Sequence, residues 1–190
     1  MKKAIQLRGT NATGKTTCVR DFISKNHFQV VNLTVSGRDI GCHWDEERKI
    51  FIIGRYDIRA CGGLDGSVRS RDELLNAIAR CVRLYNPDTI IFEGVIYGIT
   101  YQLATDINKL CHKLGYEYVG VEMRPPLDTA MNRLEQRNGG KPVNYRSIQD
   151  KYFSCQRTTE KLKSEGIKMF IEDTSKYDED NMHQIIERLI

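Results

Sequence analysis

No apolar run in these 190 residues approaches the length that spans a bilayer. Met1-Lys2-Lys3 leads straight into a short apolar segment, without the extended hydrophobic stretch of an export signal. A soluble, cytoplasmic protein without membrane contact is expected. Metal-ligand and disulfide spacing is also missing. The six cysteines are scattered, none forms a Cys-x-x-Cys pair, and no histidine stands at ligand distance from them. Reduced thiols, most of them in the core, follow from that pattern. Charge is not one-signed: 29 basic against 25 acidic residues give +4, too mild to demand a polyanionic partner. Internal repeats and low-complexity segments are absent, and the length suits one domain over residues 1–190. A homo-oligomer is compatible with this composition.

What is present begins at Gly9. Gly9-Thr10-Asn11-Ala12-Thr13-Gly14-Lys15-Thr16 follows the apolar segment Ala4-Ile5-Gln6-Leu7 and opens into a helical pattern, the arrangement of a phosphate-binding P-loop. Its glycines let successive amide N–H groups converge on one anionic point at the positive end of the following helix. Residues 9–17, through Thr17, form the expected nucleotide-binding set. Lys15 is placed to reach the β- and γ-phosphates, and the Thr16 hydroxyl to ligate Mg²⁺. ATP or GTP is the expected ligand.

Further along, β-branched segments alternate with helical ones. Strands are expected at Lys3 to Arg8, Phe28 to Val35, Ile40 to Trp44, Lys49 to Ile53, Thr89 to Gly94, Tyr116 to Met123 and Ile167 to Ile171. Helices are expected after the P-loop to about Lys25, from Arg71 to about Tyr85 behind the capping box Ser70-Arg71-Asp72-Glu73, and up to about Leu114 after a loop carrying Tyr97 and Tyr101. Others run over Leu127 to Arg137, from Asn144 to about Ser164, and from Met182 to Leu189. This order, with the P-loop after the first strand, predicts an α/β protein, a three-layer α/β/α sandwich with a mainly parallel sheet. The segments at 40–44 and 49–53 read as a short antiparallel strand extension. Ligands then belong at the carboxyl ends of the strands, where the P-loop, the Gly-rich segment 54–67 and Glu93 converge.

Absences sort the P-loop classes. Asn108-Lys109-Leu110-Cys111 lacks the aspartate of a guanine-reading Asn-Lys-x-Asp, no Asp-x-x-Gly switch occurs, and the strand ending in Glu93 carries a single acid where a mechanical ATPase would show Asp-Glu. Arg133 and Arg137, four apart on one helix, precede the Gly139-Gly140 hinge. Residues 124–164 hold nine Lys/Arg against four Asp/Glu, as a lid would, and the lid is placed at about residues 124–146. Such a pair can neutralise a moving phosphoryl group while the hinge closes water out, which favours a kinase over a hydrolase. The acid that accepts the proton is expected to be Asp65, set between Gly63 and Gly66, with Glu93 and Asp57 as alternatives. Arg55, Tyr56, Asp57, Arg59 and Arg69 are candidates for contacting substrate phosphate or a nucleic-acid backbone. Tyr97 and Tyr101 are candidates for stacking an acceptor base.

The pattern resembles the small P-loop kinases of the nucleoside and nucleotide kinase type, on GTNATGKT, the strand-end Glu93, the Arg133/Arg137 pair and the late Glu172-Asp173-Thr174-Ser175. That resemblance implies adenine held after the last strand. More narrowly, Gly54-Arg55-Tyr56, Cys61-Gly62-Gly63-Leu64-Asp65 and Arg137-Asn138-Gly139-Gly140-Lys141-Pro142 are similar to bacteriophage kinases of thymine hypermodification, which implies 5-hydroxymethyluracil in DNA as acceptor. A free nucleoside or nucleoside monophosphate, and a nucleotide-binding module without transfer, remain as alternatives.

Overall fold

The computed structural model describes residues 1–56, 62–141 and 143–190. Asp57, Arg59, Cys61 and Pro142 from the sequence reading lie outside the described residues.

Seven strands form one sheet in the order β2-β3-β4-β5-β1-β6-β7. They are β1 (Lys3–Arg8), β2 (Gln29–Val35), β3 (Arg38–Asp45), β4 (Ile50–Ile53), β5 (Thr89–Glu93), β6 (Glu117–Met123) and β7 (Lys168–Glu172). β1 pairs in parallel with β5 and β6, β4 with β5, and β6 with β7, whereas β3 is antiparallel to both β2 and β4. Only β3 therefore runs against the others. The antiparallel extension exists, but its composition differs from the expectation: β4 is a member of the parallel sheet, and the extension is β2 and β3. Ser36 and Gly37, at φ 51° and 76°, make the two-residue turn that joins them, and the left-handed pair matches the strands' twist.

Alternation along the central strands explains why both faces are covered. Ala4, Phe51, Ile53, Ile90 and Phe92 point to one face, where they pack against α2 (Arg71–Tyr85), α4 (Tyr101–Lys113) and α6 (Tyr145–Ser164). Ile5, Leu7, Ile52, Ile91, Val119 and Val121 point to the other, against Cys18, Val19 and Phe22 of α1 (Lys15–Ser24) and the short α7 (Gln184–Glu187). Two short helices complete the layers: α3 (Val95–Ile99) and α5 (Leu127–Arg137). Among the described residues no helix is long and apolar enough to cross a membrane.

Local signals account for most helix limits. The Glu73 amide donates to Ser70 Oγ at 3.1 Å, and the Glu73 carboxylate accepts from the Arg69 amide at 2.6 Å, a reciprocal cap displaced by one residue. Asn144 Oδ1 likewise accepts from the Ser147 amide at 3.0 Å. Two expectations are corrected. Tyr97 and Tyr101 lie in α3 and at the start of α4 rather than in a loop, because Asp65, thirty residues upstream, accepts the Val95 N–H at 2.7 Å and starts a helix that no neighbouring residue signals. The closing helix shrinks to residues 184–187, preceded by 3₁₀ turns at Thr174–Lys176 and Glu179–Asn181, as Asp21 of α1 takes the His183 amide at 2.7 Å.

Candidate active site

β1 lies at the centre of the parallel strands, and the P-loop leaves its carboxyl end between α1 on one face and α3 on the other. Gly9, Ala12 and Gly14 have φ of 138°, 57° and 92°, so the loop turns through three left-handed residues. A side chain at Gly9 would collide with Thr13 Oγ1 and the Met123 carbonyl, at 2.6 and 2.8 Å from its Cβ. Ala12 accepts a left-handed backbone that favours glycine, a local strain of the kind that phosphate sites tolerate. α1 begins at Lys15 without a side-chain cap, which leaves its first-turn amides to a ligand.

A cavity of about 230 Å³ opens over this loop, lined by Asn11 to Thr17, Arg20, Gly62, Asp65, Glu93, Val95 and Arg137. Lys15, buried, donates from Nζ to the Thr10 carbonyl at 2.7 Å. Burial pulls its ammonium below the ordinary lysine range, opposed by the charges of Glu93 and Asp65. Thr16 Oγ1 donates to Glu93 Oε1 at 2.8 Å, and Glu93 is 1% exposed. Burial pushes the Glu93 carboxyl above the usual carboxylate range, while Lys15 and the Thr16 hydroxyl hold it down.

Gly62 and Gly63 lie directly on this pair. Gly63, at φ 76°, leaves no room for a Cβ, which would run into the Glu93 carboxylate and main-chain carbonyl. The glycines thus bring the loop against Glu93 and Thr16, and Leu64 N donates to the Glu93 carbonyl at 2.9 Å. Gly63→Ala is expected to lower stability by about 1–3 kcal/mol through backbone strain and crowding. A lowered thermal midpoint together with reduced turnover, because Glu93 is displaced, checks this.

Asp65 sits where two cavities meet. It lines the phosphate cavity and also a larger one, of about 520 Å³, formed with Val68, Arg69, Tyr97, Thr100, Gln102 and Leu103 among others. A third cavity of about 380 Å³ lies beyond the P-loop between α5 and the turns after β7, lined by Ala12, Gly14, Thr17, Arg133, Gln136, Arg137, Tyr177, Glu179 and Met182.

The expected residues are thereby sorted. Arg137 reaches the phosphate cavity. Arg133 does not; its guanidinium donates to Thr174 Oγ1 at 3.2 Å and to the Thr174 carbonyl at 3.1 Å, and Thr174 Oγ1 donates to the Thr13 carbonyl at 2.9 Å. Arg69 and Tyr97 border the larger cavity, but Tyr97 is a buried wall whose hydroxyl donates to the Val68 carbonyl at 2.8 Å. Tyr101 donates to Glu165 at 2.5 Å, on the surface. Tyr56 is buried on the α1 side, its ring 5.8 Å from that of His43. Arg55 lines a separate groove with Gly41 and His43, where a Cβ at Gly41 would lie 2.8 Å from Arg55 Cγ. Neither Tyr56 nor Arg55 lines the phosphate cavity, although both lie next to Gly62, which does. Arg20 was missed: it lines that cavity and donates to the Tyr56 carbonyl at 3.1 Å, and its place one helical turn after Thr16 was the available signal.

The sequence profile of the 5-hmdU DNA kinase family matches residues 3–169. The chain belongs to that family. The 5-hmdU DNA kinase of Pseudomonas phage M6 is 29% identical over 171 residues, covering 86% of this chain and 87% of that protein. That of Delftia phage PhiW-14 is 26% identical over 180 residues, covering 86% of this chain and 65% of the longer relative. Among solved structures, the YorR protein of Bacillus subtilis, in complex with phosphorylated GDP, is similar at TM-score 0.57 and 13% identity, with 98% of this chain and 95% of that one covered; this likeness concerns the fold alone. The enzyme is a phosphotransferase built on the P-loop kinase fold.

Proposed function

We propose that this kinase transfers the γ-phosphate of ATP to the hydroxyl of 5-hydroxymethyluracil in DNA. The observation that carries the reading is Asp65, shared between the cavity over the P-loop and a neighbouring cavity large enough for a nucleoside. The P-loop amides and Lys15, leaving the Thr10 carbonyl, hold the β- and γ-phosphates. Arg137 stabilises the charge on the transferring group, and Arg133, through Thr174, fixes the wall beside the donor base. Asp65 takes the proton as the acceptor oxygen bonds to the γ-phosphorus and the bond to the β-γ bridging oxygen breaks, releasing ADP.

Thr16 Oγ1 and the buried Glu93 carboxylate offer an oxygen-only set that fits Mg²⁺ completed by phosphate and water. When bound, the ion neutralises phosphate charge. Residues 124–146, carrying Arg133 and Arg137 on α5 and running into the start of α6, act as the lid that excludes water.

The test offers γ-labelled ATP with three acceptors: DNA containing 5-hydroxymethyluracil, ordinary DNA and a panel of free nucleosides and nucleotides. Label on the modified DNA alone, lost when Mg²⁺ is chelated, is expected. Label confined to the free panel would assign a nucleoside or nucleotide kinase, and none anywhere a binding module without transfer. Binding of the modified DNA should weaken steeply with salt as counterions are displaced.

A further inference from the structure

The acceptor cavity has an unusual rim. Ile96 stands at its mouth with 64% of its surface exposed, on the one-turn helix α3 that follows Glu93 and Gly94. Arg69 and Arg71 border the same opening. Single exposed aliphatic side chains are ordinary on protein surfaces; what sets this one apart is its mounting.

Every carbonyl from residue 96 to 99 is engaged from a different direction. Thr100 Oγ1 donates to Ile96 O at 3.0 Å, Gln6 Nε2 to Tyr97 O at 2.9 Å, Cys155 Sγ to Gly98 O at 3.7 Å and Thr158 Oγ1 to Ile99 O at 3.1 Å. The helix start is pinned by Asp65 on the Val95 amide. Beneath it, a Cβ at Gly98 would lie 3.2 Å from Arg8 Cα and 3.3 Å from the Gly9 amide, so α3 rests on the end of β1. Arg8 is fully buried there, donating to Gln6 Oε1 at 3.1 Å. Tyr97 and Gly98 face inward. The result is a stiff, β-branched apolar knob held by the P-loop and the candidate base, flanked by two arginines.

Size decides how DNA reaches it. The hydroxymethyl group is one carbon from the pyrimidine ring, and the cavity beside Asp65 offers that ring a place. About 520 Å³ admits a nucleoside but not a base pair with both its backbones. A nucleotide of duplex DNA that uses this cavity leaves the stack.

We propose that Ile96 is the wedge that fills the gap left in the duplex when the acceptor nucleotide swings out, with Arg69 on a flanking phosphate and Arg71 held beside it by Asp106 at 2.7 Å. This rests on the DNA-kinase reading above and adds how that substrate is presented.

The experiment compares the wild type, Ile96→Ala and Ile96→Leu on one oligonucleotide bearing a single 5-hydroxymethyluracil, as duplex and as single strand. A 2-aminopurine beside the modified base reports unstacking. Ile96→Ala should lower kcat/KM on the duplex at least tenfold more than on the single strand, and abolish the 2-aminopurine signal. Ile96→Leu should restore most of both, and placing the modified base opposite an abasic site should shrink the Ala deficit. Equal losses on the two DNA forms, or an unchanged duplex-to-single-strand ratio, would overturn the wedge while leaving the kinase reading standing. A wild type that phosphorylates duplex DNA without any 2-aminopurine change would also overturn it, in favour of reading from the major groove. A wild type inert on both DNA forms takes down both proposals.

Discussion

Lys15→Met is expected to lower kcat by about 10²–10³-fold and to raise the KM for ATP, while the protein stays folded. The lysine is buried, and its Nζ already lies 2.7 Å from the Thr10 carbonyl, inside the loop that would receive the triphosphate. Among the described residues no other ammonium lines the cavity, and Arg20 of α1 and Arg137 of α5 line it too. Methionine keeps the length and the apolar stem but removes the charge. The substitution also strips the buried Glu93 carboxyl of the neighbouring cation that opposes the upward pull of burial on it. Steady-state kinetics with nucleotide titration checks this, alongside circular dichroism to establish that folding is retained. Lys15→Arg is expected to rescue little, because a planar fork cannot replace a compact charge in about 230 Å³. Unchanged affinity and turnover in Lys15→Met would remove the P-loop from the mechanism.

The second large effect belongs to Asp65. Asp65→Asn retains an oxygen to accept the Val95 N–H, the 2.7 Å contact that starts α3, but cannot take up a proton. Turnover is expected to fall by about 10²–10⁴-fold with the KM for ATP little changed, the signature of a lost general base. Asp65→Ala should add a loss of about 1 kcal/mol in stability, since the helix start loses its acceptor. Near-normal turnover in Asp65→Asn would transfer the role to another carboxylate, and Glu93→Gln is then the informative variant. The two aspects separate cleanly, as one is read in kcat and the other in the unfolding midpoint.

Much of the architecture was legible because its causes are local. β1 over Lys3–Arg8, α2 over Arg71–Tyr85 and α5 over Leu127–Arg137 carry their limits in neighbouring residues: an apolar run before glycine, a Ser70 cap, an Asn138-Gly139-Gly140 stop. The phosphate loop is equally local, since its amides and Lys15 act within eight consecutive residues. Other features depend on partners far away in the chain. Tyr97 is a wall of the larger cavity through a hydroxyl bond to the Val68 carbonyl, and Gly63 is pressed against Glu93, thirty residues on. Arg133 and Arg137 share a helix face as expected, yet Thr174 captures only the first.

What the chain determined by itself is a P-loop kinase with a mainly parallel sheet, because hydrophobic period, caps and the Gly-x-x-x-x-Gly-Lys-Thr spacing act over a few residues. What only the tertiary structure decided is which side chains share a cavity: Asp65 with Glu93 and Arg137, Ile96 at the mouth of the next one, and neither Tyr56 nor Arg55 in the lining of the first. Most of those choices follow from strand order and from hydrogen bonds that join residues tens of positions apart, which local patterns do not encode.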